Sequence, residues 1–360
     1  MKKLLCHVRV FSILAYIVLG VLISCLLFHS CKKPVKIDTV ELAESSIPLS
    51  KDFIFIPVSI NDSVYRFLFD TGSNSSAIDS VYAKKIGLYA DGTSLAKISN
   101  MYRTVEDSVS FARKNISIGQ IRTTGIFFLD QYKGLAIENN PGAIMGMDIG
   151  RQYNWLFNFD DNTATLSKNR ITIPILPDDQ IFTLNFYYND EFGNTQMNLT
   201  MDDVIIQNVV FDTGYSDSWD VWDKEKKIDI VFSESDFEIV RSSLVKNLRC
   251  YNSMDFSAMG LGRSLIIDSL KIDDLIIPGI FAIERKEKAR SAITIHFVRR
   301  FRMMYYDSMN KKIELYVSHA DSVRYQRIDL QNFVRTIIQH YNENRGDMST
   351  LTTSKLMELW

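Results

Sequence analysis

The tripeptide Asp-Thr-Gly occurs twice, as Asp70-Thr71-Gly72 and as Asp212-Thr213-Gly214. Each copy closes an apolar run, Phe67-Leu68-Phe69 in the first case and Val209-Val210-Phe211 in the second. Each is followed downstream by another apolar segment, Ala143-Ile144-Met145-Gly146-Met147-Asp148 and then Ala292-Ile293-Thr294-Ile295-His296. Matched settings of this kind point to an internal duplication that brings two carboxylates to one place. The glycine lets the chain turn sharply beside the acid, and the threonine hydroxyl can tie one turn to its mate. Two carboxylates within hydrogen-bond range cannot both ionise, so the pair holds one proton over a broad pH range. The ionised member can deprotonate a water while the protonated one polarises an amide carbonyl, without a metal, a cofactor or a covalent intermediate. The contrary reading is a pair of ordinary polar turns after strands, against which the matched flanks argue.

The elements that position these turns read as two strand-rich units. In the first, Phe53 to Pro57 and Val64 to Phe69 are strands around an Asn61-Asp62 turn. Ser80 is placed to cap a short helix through Ala83 and Ile86, stopped by Gly87. Strands are expected over Ser108 to Phe111, Ile116 to Ile118 and Gly125 to Leu129, and the unit closes with Trp155 to Phe159, an Asp160-Asp161-Asn162 turn and Thr163 to Leu166. The second unit repeats the order: Ile181 to Tyr188, Gln196 to Met201, then Val204 to Phe211. A helix from Asp236 has Phe237, Val240, Leu244 and Leu248 on one face. Leu265 to Ile267, Leu275 to Ile277, Met303 to Tyr306 and Ile313 to Val317 follow. Pro174 and Pro177 suit a connector between the units.

Phe69-Asp70-Thr71-Gly72-Ser73, Ile144-Met145-Gly146-Met147-Asp148, Phe211-Asp212-Thr213-Gly214 and Phe297-Val298-Arg299-Arg300-Phe301, with its trailing Asn310-Lys311-Lys312-Ile313 turn, resemble the aspartic proteases, the bacterial retropepsin-like group more than the pepsins. The resemblance spans roughly Lys51 to Val317. It implies a mainly β, two-lobed acid-protease fold of β-barrels about a pseudo-two-fold axis. Retropepsins resemble half-enzymes that dimerise; with both halves in one chain, the active unit is expected to be a monomer. By that pattern Asp70 and Asp212 are the catalytic dyad, supported by Thr71, Gly72, Ser73, Thr213, Gly214 and Tyr215, with Ser73 hydrogen-bonding the Asp70 carboxylate. Two apolar residues and a glycine, here Ile144-Met145-Gly146, pass beneath the turn. Flaps are expected over Ile98 to Thr104, with Met101 and Tyr102, and over Tyr251 to Arg263, with Met259 and Gly260.

The second lobe departs from that pattern at two positions. Tyr215 stands where the family has a small residue or a hydroxyl, and its ring is placed to crowd the dyad or to supply a phenol. Thr294 stands at the position of Gly146, where a side chain is placed to press on the turn. The function expected is an aspartic endopeptidase acting on a peptide or protein. The alternative is an inactive pseudo-protease that binds peptides or glycan fragments.

The remaining sequence bounds this reading. Lysine and arginine number 41 against 43 acids, which gives no electrostatic case for nucleic acid. Cys6, Cys25 and Cys31 lie near the N-terminus and Cys250 stands alone, so no disulfide framework and no metal-ligand spacing is present in the sequence. Lys2, Lys3 and Arg9 precede an uncharged apolar run from Val10 to Phe28, long enough to cross a bilayer. A retained anchor, a lipoprotein signal with its lipid on Cys25, or one with its lipid on Cys31 are the open readings. All place the body outside the cytoplasm, tethered to the bacterial cell envelope. The expected organisation is a signal or membrane anchor over 1–31, a linker over 32–50, protease lobes over 51–170 and 171–318, and a helical extension over 319–360. In that extension Leu330, Phe333, Val334, Ile337, Ile338 and Tyr341 recur at helical spacing.

Overall fold

The computed structural model describes residues 38–41, 53–99, 104–130, 142–190, 193–201, 203–215, 228–246, 250–255, 263–272, 275–285 and 290–317. The N-terminal apolar run, Cys25, Cys31, Leu248 and the expected C-terminal helix lie outside them. Among the described residues no helix is long and apolar enough to cross a membrane.

The chain is mainly β, with few helices. The first lobe starts as a hairpin. Phe55–Ile60 and Ser63–Phe69 pair antiparallel across Asn61 and Asp62, whose φ of 50° and 61° is the left-handed pair that matches strand twist in a two-residue turn. Around the sheet the order is Phe55–Ile60, Ser63–Phe69, Ala143–Met145, Ala77–Asp79, Ile121–Asp130, Thr104–Ile118 and Gly92–Ser99. A bridge between Ser59 and Ser117 joins the first strand to the sixth and closes a six-stranded barrel. Ser63–Phe69 runs parallel to Ala143–Met145, so Asp70 emerges beside Gly146.

The second lobe has the same wiring. Thr195–Met201, Val204–Asp212, Ala292–Thr294, Ile230–Ser233, Leu275–Arg285, Arg263–Ile272 and Cys250–Asp255 follow in the same order, and Met201 bridges Ile272 to close the barrel. Val204–Asp212 is parallel to Ala292–Thr294, which sets Asp212 beside Thr294. Tyr187–Tyr188 adds one outer strand against Thr195 and Gln196.

A third sheet joins the lobes. Its order is Asp38–Glu41, Thr163–Ser167, Asn154–Asn158, Met303–Asp307, Lys312–Val317 and Gln180–Asn185, with one hairpin from each lobe meeting at its centre. Trp155 and Phe157 rise from it, each 5.0 Å from the ring of Phe69. One buried core runs through both barrels and this sheet. The strands that carry the aspartates are therefore fixed from below by aromatic packing, where losing one such ring costs about 3–5 kcal/mol.

Several elements differ from their expected form. Asp38–Glu41, inside the stretch read as linker, is a strand paired with Thr163–Ser167. The two strands expected at 108–111 and 116–118 are one, Thr104–Ile118, because both of its neighbours pair along most of its length. Ile181 to Tyr188 breaks after Asn185, and its halves join different sheets. Helix Ser80–Lys85 is capped not by Ser80 but by Asp79, whose carboxylate accepts from the N–H groups of Val81 and Tyr82. The longer helix starts at Glu234, two residues before Asp236, and buries Phe237, Val240 and Leu244.

Arginines stitch the second lobe. Arg300 meets the buried Asp229 carboxylate through Nε at 2.6 Å and a second nitrogen at 2.7 Å, and also donates to the Gly279 carbonyl. Arg302 clips the connector by donating to the Asp179 carboxylate and the Pro174 carbonyl. Removing one partner of a buried pair strands the other charge. Arg300→Leu is expected to lower unfolding free energy by about 3–5 kcal/mol in denaturant titration. Arg241→Ala, which breaks a surface pair with Glu238, should cost less than about 0.5 kcal/mol. Equal losses would contradict this account of Asp229.

Candidate active site

The two Asp-Thr-Gly turns face each other. Thr71 and Thr213 are fully buried and bond reciprocally across the lobes. The Thr71 N–H donates to Thr213 Oγ1 at 3.1 Å, and the Thr213 N–H donates to Thr71 Oγ1 at 3.1 Å. Thr71 Oγ1 in turn donates to the Phe211 carbonyl at 2.5 Å, and Thr213 Oγ1 to the Phe69 carbonyl at 2.6 Å. Each hydroxyl thus satisfies a donor and an acceptor of the opposite strand, with no buried backbone group sacrificed.

That grip sets the acids in contact. Asp70 and Asp212 share a side-chain hydrogen bond. A Cβ on Gly72 would overlap the Asp212 carboxyl, and one on Gly214 would overlap the Asp70 carboxyl. Glycine is therefore required at both places by the approach of the opposite acid, not by its backbone angles. Asp70 Oδ1 accepts from the N–H groups of Gly72 at 2.9 Å and Ser73 at 3.1 Å. Asp212 Oδ1 accepts from Gly214 N–H at 3.0 Å, and Tyr215 N–H adds a second bond.

Burial raises both carboxyls above the ordinary carboxylate range. At Asp212 burial is reinforced by the nearby Asp70 charge and by the hydrogen bond to it. For Asp70 the Asp212 hydrogen bond and the two backbone donors oppose burial. The pair thus favours a single shared proton.

Three side chains are placed differently from what the sequence suggested. Ser73 bonds Asp70 through its N–H; its hydroxyl donates instead to the Ser75 carbonyl at 2.9 Å. The Tyr215 ring does not crowd the dyad. It packs on Ile228, Val231 and Ile283 with the Arg285 guanidinium 5.3 Å from its centre. Thr294 does not press on the turn either. Its hydroxyl donates to the Ile228 carbonyl and accepts the His296 N–H, capping a short helix. Gly146 has no such room, since a Cβ there would stand 2.5 Å from the Ser75 carbonyl carbon and oxygen.

Both expected flaps arise from hairpins. Gly92–Ser99 pairs with Thr104–Ile118, and Cys250–Asp255 with Arg263–Ile272. Their tips, with Met101, Tyr102, Met259 and Gly260, lie outside the described residues. Among the described residues no group of three or more His, Cys, Asp and Glu side chains is placed to hold a metal ion. Ser76 escapes a reading of the sequence: its hydroxyl accepts from the Gly146 N–H at 3.1 Å and donates to the Asp148 carboxylate at 2.7 Å. A lone serine in a loop carries no pattern.

The raised acids make stability depend on pH. The folded chain keeps a proton that the unfolded chain releases near the ordinary value of 3.8. Stability is then complete below that value and falls as pH rises through the raised one. Subtracting the Tm–pH profile of Asp212→Asn from that of the wild type should leave this falling slope, with the variant the more stable at neutral pH. Parallel profiles would show that the acids do not interact.

Residues 56–149, from the first strand of the first lobe to the helix beyond Gly146, match the sequence model of a family described as aspartyl protease. No curated protein matches the chain. The matched stretch holds Asp70-Thr71-Gly72 and Ile144-Met145-Gly146 of the first lobe.

Proposed function

We propose that this protein is an aspartic endopeptidase on the two-lobed acid-protease fold, with Asp70 and Asp212 as its catalytic dyad. The observation that carries this reading is the mutual approach of the Asp70 and Asp212 carboxyls, each against the opposite glycine and joined by a hydrogen bond. Holding like acids together is costly, and a protein that only bound peptides would gain nothing from it.

The reaction follows from a pair of acids that holds one proton. A water between the carboxyls gives a proton to Asp70, and its oxygen bonds to the carbonyl carbon of the peptide. Asp212 passes its proton to the carbonyl oxygen, leaving a neutral tetrahedral diol. One diol hydroxyl then returns a proton to Asp212 as the carbonyl re-forms. The carbon–nitrogen bond breaks, and Asp70 gives its proton to the leaving nitrogen. Both acids end as they began. The backbone donors on each carboxylate hold it oriented throughout, so little reorganisation accompanies the charge movement.

The apolar run from Val10 to Phe28 supports a body tethered outside the cytoplasm, either by that segment or by a lipid on Cys25 or Cys31. Substrates would then be peptides or proteins of the cell envelope. One chain supplies both aspartates, which supports an active monomer.

Incubating the purified body with a mixed peptide library across a pH series tests the reading. Cleavage should follow a bell-shaped pH profile bounded by the two dyad ionisations, and Asp70→Asn or Asp212→Asn should each reduce it by at least about 10²-fold. Peptide retention without cleavage at any pH would favour the binding protein instead.

A further inference from the structure

A line of buried hydroxyls runs beneath the first Asp-Thr-Gly turn, and its members belong to the second lobe. The Thr195 N–H donates to the Thr71 carbonyl at 3.1 Å. Thr195 Oγ1 lies 2.7 Å from the Tyr306 hydroxyl, which reaches the Tyr188 hydroxyl at 3.3 Å. Tyr188 is 2.8 Å from Ser308 Oγ, and Ser308 donates to the Arg151 carbonyl at 2.6 Å. Arg151 caps the helix that follows Gly146. The line therefore ties the two pieces of the first lobe that flank Asp70, through side chains of the second.

The pseudo-symmetry supplies an internal control. Gln196 pairs with Val210 as Phe55 pairs with Leu68, so the mate of Thr195 is Ile54. Tyr306 pairs with Ile313 as Phe157 pairs with Ala164, so the mate of Tyr306 is Phe157. Both mates are apolar and fully buried. The fold thus accepts an isoleucine and a phenylalanine at these sites. Burying hydroxyls there is a desolvation cost that packing does not require. What only the hydroxyls add is a fixed distance between the third sheet and the strand start that holds Thr71.

We infer that Thr195 and Tyr306 are positioning residues that set the orientation of the Asp70 turn for the reaction. This rests on the peptidase reading. They act through the Thr71 carbonyl. Their role is one-sided, serving the Asp70 turn, because the mates of both in the first lobe are apolar.

The test compares Thr195→Val, Tyr306→Phe and the double variant with the wild type. Each single change should lower kcat about 3- to 10-fold, the worth of one hydrogen bond in the transition state, with KM unchanged. The double variant should lose no more than the worse single, because no orphaned hydroxyl remains. Singles that lower Tm but leave kcat untouched would overturn the inference. Should the wild type cleave nothing, the peptidase reading fails by itself. The inference is then read from the Tm–pH profile: a shifted dyad midpoint in Tyr306→Phe supports it, and an unmoved midpoint overturns it.

Discussion

The arrangement depends on one reciprocal contact, the exchange of hydrogen bonds between Thr71 and Thr213 across the lobes. Each threonine offers its hydroxyl as acceptor to the other's N–H and as donor to the carbonyl of the opposite strand. Four bonds in a buried place leave the two turns no freedom to slide. The separation of the acids is then a consequence, not an independent choice. The glycines complete it by omitting the atoms that would push the carboxyls apart.

Everything below that contact holds it level. The third sheet takes one hairpin from each lobe, and its aromatic residues pack against Phe69 from the first side and Phe186 from the second. The two halves are not equivalent. The first meets the sheet through hydrocarbon, with Ile54 and Phe157; the second meets it through hydroxyls, with Thr195 and Tyr306. A duplicated fold has kept its wiring while its halves have taken different buried chemistry.

Much of this was legible in the sequence because the signals are local. Asn61-Asp62 announces its turn, alternating apolar residues announce the flanking strands, and two Asp-Thr-Gly copies announce the acids. What escaped is decided by tertiary neighbours. Thr294 and Tyr215 looked obstructive because a one-dimensional comparison cannot see that the Ile228 carbonyl engages the Thr294 hydroxyl and that Ile228, Val231 and Ile283 form an apolar shelf for the Tyr215 ring. Asp38–Glu41 reads as polar linker because an edge strand needs only its backbone to pair. Thr195 and Tyr306 carry no motif, and their meaning appears only when their mates in the other lobe are set beside them.

The central claim is that Asp70 and Asp212 share a single proton. Carbon-13 NMR of the aspartate carboxyls, assigned through Asp70→Asn and Asp212→Asn, measures it directly. The account predicts two linked midpoints well separated from each other, the upper far above 3.8, with both carboxyl signals moving in each step. Two independent titrations near the ordinary carboxylate value would contradict it.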